Sequence, residues 1–164
     1  PEPVIPEVGA RVMGLDNPSI KMAKTYSHIR GHMVRMLDEP HEIERSIKRA
    51  VTDSGNEIRF SDDEDKAGVN NLLGIYGVIT GKGRAEVEAD FAAASGYGEL
   101  KARVAEVVIA ELAPIRERYE TLIRDVAALD RLLARGAEQA RAVSEPKMEE
   151  IKRRIGLILP GVPE

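Results

Sequence analysis

Cysteine is absent from all 164 residues, so neither a disulfide framework nor a thiolate zinc site can form, and a small secreted scaffold is excluded. Aromatic residues are scarce, at 4%, which leaves Ile, Leu, Val and Ala to fill a core. No apolar run approaches the roughly 18 residues of a membrane-spanning helix. No charged-then-apolar signal segment and no lipidation signal is found. Nor is positive charge in excess: 24 Lys plus Arg stand against 28 Asp plus Glu, a net of -4. That balance excludes a general nucleic-acid binder while leaving room for a local basic face. Internal repeats and low-complexity tracts are also missing. Together these absences predict a soluble, cytoplasmic protein with no membrane association and no metal site.

What is present fits one domain, or one small domain with a piece of another. The opening "PEPVIPEVGARVMGL" has no initiator Met and begins within an extended pattern, which suggests the C-terminal part of something longer. Residues 8–15 are partly β-branched and bounded by Pro and Gly, and so predict a strand or extended segment. A loop follows, to about Ser27. From Glu39 the period changes: Ile43, Ile47 and Val51 recur at fours, Pro40 suits a first helical turn, and "TDSGNE" supplies a stop. After the acidic connector "FSDDEDKAG", the dense apolar set Val69, Leu72, Leu73, Ile75, Tyr76 and Ile79 predicts a central helix that "TGKG" ends. A shorter helix spans roughly 84–94. The longest periodic run then goes from Leu100 to Ile123, with Pro114 inside it predicting a bend rather than a break. Asp125 can cap a last helix whose stripe Leu129, Leu132, Leu133, Ala137, Ala140 and Val143 continues past Pro146 to Ile151 and Ile155. The pattern is mainly α from position 39 onward, preceded by what reads as the last strand and loop of an α/β domain.

Several short motifs carry only plain readings. His28 and His32 stand at metal-pair spacing, but no third ligand is patterned with them, so with His41 they are read as exposed polar residues. "SDDEDK" lacks the Gly and closing Glu of a calcium loop. "TGKGR" lacks P-loop spacing and reads as a helix cap. Arg45, Lys48 and Arg49 form a basic face that is either ordinary charged surface or a phosphate contact. Lys152, Arg153 and Arg154 form a second patch that also complements a helix C-terminal dipole. "KMAKT", residues 21–25, sets two lysines on a loop, which by itself is solvated surface.

Read in order, "PEVGARVMGL", "KMAKT", "MLDEPHEIERSIKRAVTDS", "GVNNLLGIYGVITG", "GYGELKARVAEVVIAELAPIRERY" and "LDRLLARGAEQARAVSEPKMEEIKRRIGL" resemble bacterial tryptophanyl-tRNA synthetase over nearly the whole chain. "KRAVTDS" and "GYGELKARVAEVV" are its most specific segments. The resemblance implies a class I aminoacyl-tRNA synthetase that activates tryptophan with ATP, as its Mg2+ complex, and transfers it to tRNA(Trp). It implies a mainly α fold: residues 1–38 would be the C-terminal edge of a Rossmann-like α/β catalytic domain, and residues 39–164 a helical anticodon-binding domain. The KMSKS-type loop would comprise Lys21, Met22, Ala23, Lys24 and Thr25, with Val12 lining the adenine pocket. Arg45, Lys48 and Arg49 would be tRNA contacts. The remaining active site, and the surface through which family members form homodimers, would lie upstream.

The chemistry of the two lysines follows from charge. When the tryptophan carboxylate attacks the α-phosphate, negative charge gathers on departing pyrophosphate, and an ammonium that arrives only then stabilises the transition state more than the ground state. Losing one such group costs about 2.7 to 4 kcal/mol of barrier, roughly a hundred- to thousandfold in rate. Lys24 is the first choice for this contact and Lys21 the second, while Met22 suits an apolar anchor. Ala23 replaces the signature's Ser and removes a hydroxyl; Thr25 replaces the final Ser, and Tyr26 departs from the small or acidic residue expected next. No HIGH-like motif is present. Two other functions stay open. A non-catalytic helical RNA- or protein-binding module would have no need of the lysine pair. Tyrosyl-tRNA synthetase shares the catalytic fold, but its helical segments match less well.

Overall fold

The computed structural model describes residues 2–3 and 9–157. Among them the chain is mainly helical, with α1 Pro40–Lys48, α2 Ala67–Thr80, α3 Arg84–Asp90, α4 Tyr97–Arg124 and α5 Val126–Arg154. Single 3-10 turns occur at Lys24–Tyr26 and Glu64–Lys66.

The strand expected at residues 8–15 is reduced to an extended segment. Val8 lies outside the described residues, and among those described the segment pairs through one antiparallel bridge, between Met13 and Lys21. A strand needs a neighbour along its length. Here one side is met by a short return arm and the other by a side chain: Asn71 of α2 accepts the Met13 N–H at 2.8 Å and donates to the Met13 carbonyl at 2.9 Å.

The chain divides into two compact units, Pro1–Arg116 and Glu117–Glu164. In the first, α1 begins at the expected Pro40, and the Glu42 carboxylate reaches back to accept the Glu39 N–H at 3.2 Å, satisfying a donor that the helix start would leave unpaired. Its Ile43 and Ile47 are buried. Val51, expected as the next member of that stripe, is exposed, because the helix has already ended at Lys48.

As its composition predicted, α2 is central: Val69, Leu72 and Leu73 are wholly buried and Ile75 and Ile79 lie against the core. Gly68 lets α2 approach the preceding backbone, since a Cβ there would stand 2.1 Å from the Val51 carbonyl oxygen. Val87, Leu100 and Val104 complete the aliphatic interior, with Tyr76 and Phe91 meeting edge-on at 4.9 Å. Each fully buried Leu or Ile contributes about 1.5 to 3 kcal/mol of transfer free energy.

The second unit holds the end of α4 and all of α5. The Asp125 carboxylate accepts the Ala128 N–H at 2.9 Å and caps α5 as predicted. Helix α4 runs on through Pro114 and α5 through Pro146; each proline deletes one amide donor without ending its helix. The apolar stripe of α5 is not buried at any position. Its spacing defines a face, but burial requires a second surface to cover that face.

Candidate functional site

The chain doubles back between Val12 and Met22. Met22 N–H donates to the Val12 carbonyl at 3.0 Å and Gly14 N–H to the Ile20 carbonyl at 2.8 Å. Asn17 builds the turn: its carbonyl accepts the Ile20 N–H, and its side-chain oxygen accepts the Ser19 N–H at 3.0 Å, the local bonding that suits Asn to turns. Val12, Lys21 and Met22 are thereby brought together.

Lys21 is exposed on the return arm. Met22 is half-buried against the core and lines an apolar cleft of about 260 Å³ with Val12, Leu15, Val34, Ile75 and Leu112. Ala23 is extended, and Lys24 opens the 3-10 turn, exposed together with Thr25. Among the described residues, neither Lys21 nor Lys24 has an ion-pair partner. The loop thus presents two ammonium groups to solvent while its methionine faces inward.

The base of this loop was not foreseen. His32, read with His28 and His41 as an exposed polar residue, is buried to 1% exposure; the other two are exposed. Its Nδ1 lies 2.5 Å from Asp16 Oδ1, its carbonyl accepts the Leu15 N–H at 3.0 Å, and its ring packs 5.1 Å from that of Tyr26. Leu15 is held from its other side as well, its carbonyl accepting the Val51 N–H at 2.7 Å. The Arg35 guanidinium adds a further tie, donating to the Ser27 carbonyl at 2.9 Å.

The segment holding Val51 is itself fixed by a polar cluster. The Tyr97 hydroxyl donates to Asp53 at 2.6 Å, and Lys66 reaches both Asp53, at 3.2 Å, and the Tyr97 oxygen, at 2.9 Å. Burial opposes the Asp53 charge, but hydrogen bonds from Tyr97, the Gly55 N–H and Lys66, with the charge of Lys66, outweigh it and hold the carboxyl below its ordinary pKa. Lys82 of "TGKG" pairs with Asp90 and holds that carboxyl below the usual range.

Arg45, Lys48 and Arg49 are exposed on α1 and its C-terminal cap, with no ion pair among the described residues. Lys101 of α4, which no sequence spacing connects to them, joins Lys48 in lining a cleft of about 380 Å³ that also includes Glu44. Burial pushes the Lys101 ammonium's pKa down. A further cleft of about 420 Å³ is lined by Arg11, Val12, Asn70, Asn71 and Arg84, among others, with the Arg84 guanidinium 4.5 Å over the Phe60 ring.

Of the residues missed in the sequence, Asn71 had a readable signal: an amide inside a densely apolar helix must find partners. Asp16, His32 and Lys101 had none, since their neighbours come from distant parts of the chain.

A family model described as tRNA synthetases class I (W and Y) matches residues 1–113. The tryptophan–tRNA ligase of Wolinella succinogenes is 43% identical over 158 residues, which cover 96% of this chain and 47% of that protein. Two solved structures are similar as well. Tryptophanyl-tRNA synthetase from Mycoplasma pneumoniae superposes with a TM-score of 0.76 at 25% identity, over 93% of this chain and 45% of that one. The Campylobacter jejuni enzyme complexed with ADP and tryptophan gives 0.64 at 27% identity, over 90% and 44%. The chain spans about half the length of the curated relatives it matches.

Proposed function

The chain belongs to the class I tRNA synthetases of the tryptophan and tyrosine type, and on that premise we propose that it supplies the ATP loop and anticodon-binding helices of a tryptophan–tRNA ligase. Residues 1–38 form the edge of the catalytic domain in this reading and residues 39–164 the RNA-binding part. The observation that carries it is the hairpin from Val12 to Met22, which holds Lys21 and Lys24 exposed and unpaired among the described residues on a loop fastened at its base. The relatives named as tryptophan–tRNA ligases support the choice of amino acid.

In the reaction, a tryptophan carboxylate oxygen bonds to the α-phosphorus of ATP, the bond to the bridging oxygen breaks, and pyrophosphate leaves. ATP enters as its magnesium complex, the metal shielding phosphate charge. Lys24 meets the charge developing on pyrophosphate, with Lys21 beside it, and this contact strengthens as the bond breaks. Met22, Ala23 and Thr25 carry the lysines, while Val12, adjacent to Met22, bounds the adenine end. Arg45, Lys48 and Arg49, joined by Lys101, contact phosphates of tRNA(Trp), where charge neutralisation positions the RNA without reading its sequence. Dimerisation belongs to the catalytic domain.

The test is ATP–pyrophosphate exchange by the gene product at its full encoded length, with tryptophan and tyrosine in parallel. Tryptophan-dependent exchange is expected. Exchange with tyrosine alone would assign the chain to the other branch of the family, and a folded protein with no exchange would point to a helical binding module without chemistry.

A further inference from the structure

We propose that His32, acting through Asp16, is the positioning residue that sets where the lysine loop stands over its substrate. The inference rests on reading "KMAKT" as the ATP loop. Its ground is the way the loop is closed. Asp16 and His32 are 16 residues apart in sequence, yet their side chains meet at 2.5 Å, and both lysines lie on the span between them. The backbone closes at the same level through the Leu15 N–H and the His32 carbonyl.

The ring fits there because residue 14 is glycine. A Cβ on Gly14 would come 2.2 Å from His32 Cε1 and 2.6 Å from Nδ1. Above the ring, Tyr26 ends the turn that Lys24 begins, its centroid 5.1 Å from that of His32. His32 therefore touches both the fixed root of the hairpin and the segment that carries Lys24.

Packing alone does not require an imidazole here. A buried polar ring costs desolvation, and among the described residues His32 Nε2 has no hydrogen-bond partner. The bond at Nδ1 fixes the ring's orientation in a way an aliphatic side chain could not. A loop that closes on nucleotide and reopens needs such a root, because lysines displaced by even about 1 Å lose much of their effect on the reacting phosphate.

The test compares His32→Ala, His32→Asn, Asp16→Ala and Lys24→Ala in the gene product at its full encoded length. Rates and KM values come from tryptophan-dependent ATP–pyrophosphate exchange, and hydrogen exchange is followed at the backbone amides of residues 21–27. His32→Ala and Asp16→Ala should each lower the rate about tenfold to a hundredfold, leave the tryptophan KM within about twofold, and speed amide exchange in the loop. The double variant should be no worse than either alone, as for two parts of one fastening. His32→Asn, whose amide nitrogen can replace Nδ1 toward Asp16, should recover most of the rate.

A folded His32→Ala protein with the parent rate overturns the proposal, as does unchanged amide exchange in residues 21–27. An Asn variant as poor as Ala does the same, since it reduces the ring to packing. Should His32→Ala fail to fold, Asp16→Ala decides, because its side chain is 37% exposed and leaves no internal cavity. Lys24→Ala separates the two readings. If it leaves exchange intact, the ATP-loop assignment fails, and the fastening is then judged on loop amide exchange alone.

Discussion

Leu72 in α2 and Leu132 in α5 both belong to periodic apolar faces, yet the first is wholly buried and the second 54% exposed. The contrast extends to their surroundings. In Pro1–Arg116, helices α1 to α3 and the first part of α4 enclose one another's apolar faces, and the buried Asn71 amide and the partly buried Asp53 carboxylate tie loops to helices. In Glu117–Glu164 no described residue is buried, and the ion pairs, such as Arg154 with Glu150, lie on the surface. Equal periodicity gives equal helices, but cooperative packing arises only where several faces converge. The lysine hairpin lies within the first unit.

This difference can be broken deliberately. Leu72→Ala should cost about 2 to 5 kcal/mol by removing transfer free energy and leaving a cavity. Leu132→Ala should stay within about 0.5 kcal/mol. Denaturant unfolding of the two variants checks the pair, and similar losses would mean that α5 is covered after all. Asn71→Leu comes next. It leaves the Met13 N–H and carbonyl without the two bonds they now make, which should cost about 1 to 3 kcal/mol and raise amide exchange at Met13.

A smaller effect belongs to the Tyr97 cluster. Tyr97→Phe should lower stability by about 1 kcal/mol at neutral pH through loss of the bond to Asp53. The Asp53 carboxyl sits lower when folded than when unfolded. Its contribution is therefore present above the ordinary carboxylate pKa and is lost as pH falls through the folded one. The gap between the parent protein and Tyr97→Phe should accordingly narrow in unfolding curves measured below about pH 4. A gap independent of pH would place the tyrosine's effect in packing rather than in this bond.

Much of this was legible in the sequence. The helix starts at Pro40 and Asp125, the central α2 and the loop at "KMAKT" follow from spacing, capping chemistry and motif, all of them local signals. What escaped is non-local. The extended segment at Met13 is completed by a side chain rather than by a strand. His32 is buried because Gly14 and Asp16 make room and a partner for it, and no spacing within "SHIRGH" announces that. Lys48 and Lys101 share a cleft only because α1 and α4 are neighbours. The α5 stripe was readable as a face, whereas whether anything covers it was not.

In the proposed function, Lys24 meets the charge that develops on departing pyrophosphate. Rapid-quench measurement of tryptophanyl-adenylate formation by Lys24→Ala, alongside its affinity for tRNA(Trp), isolates that contact. The chemical step should slow a hundred- to thousandfold, about 2.7 to 4 kcal/mol, with tRNA affinity within about twofold. A large loss of tRNA binding with unchanged adenylate formation would instead place Lys24 at the RNA and not at the reacting phosphate.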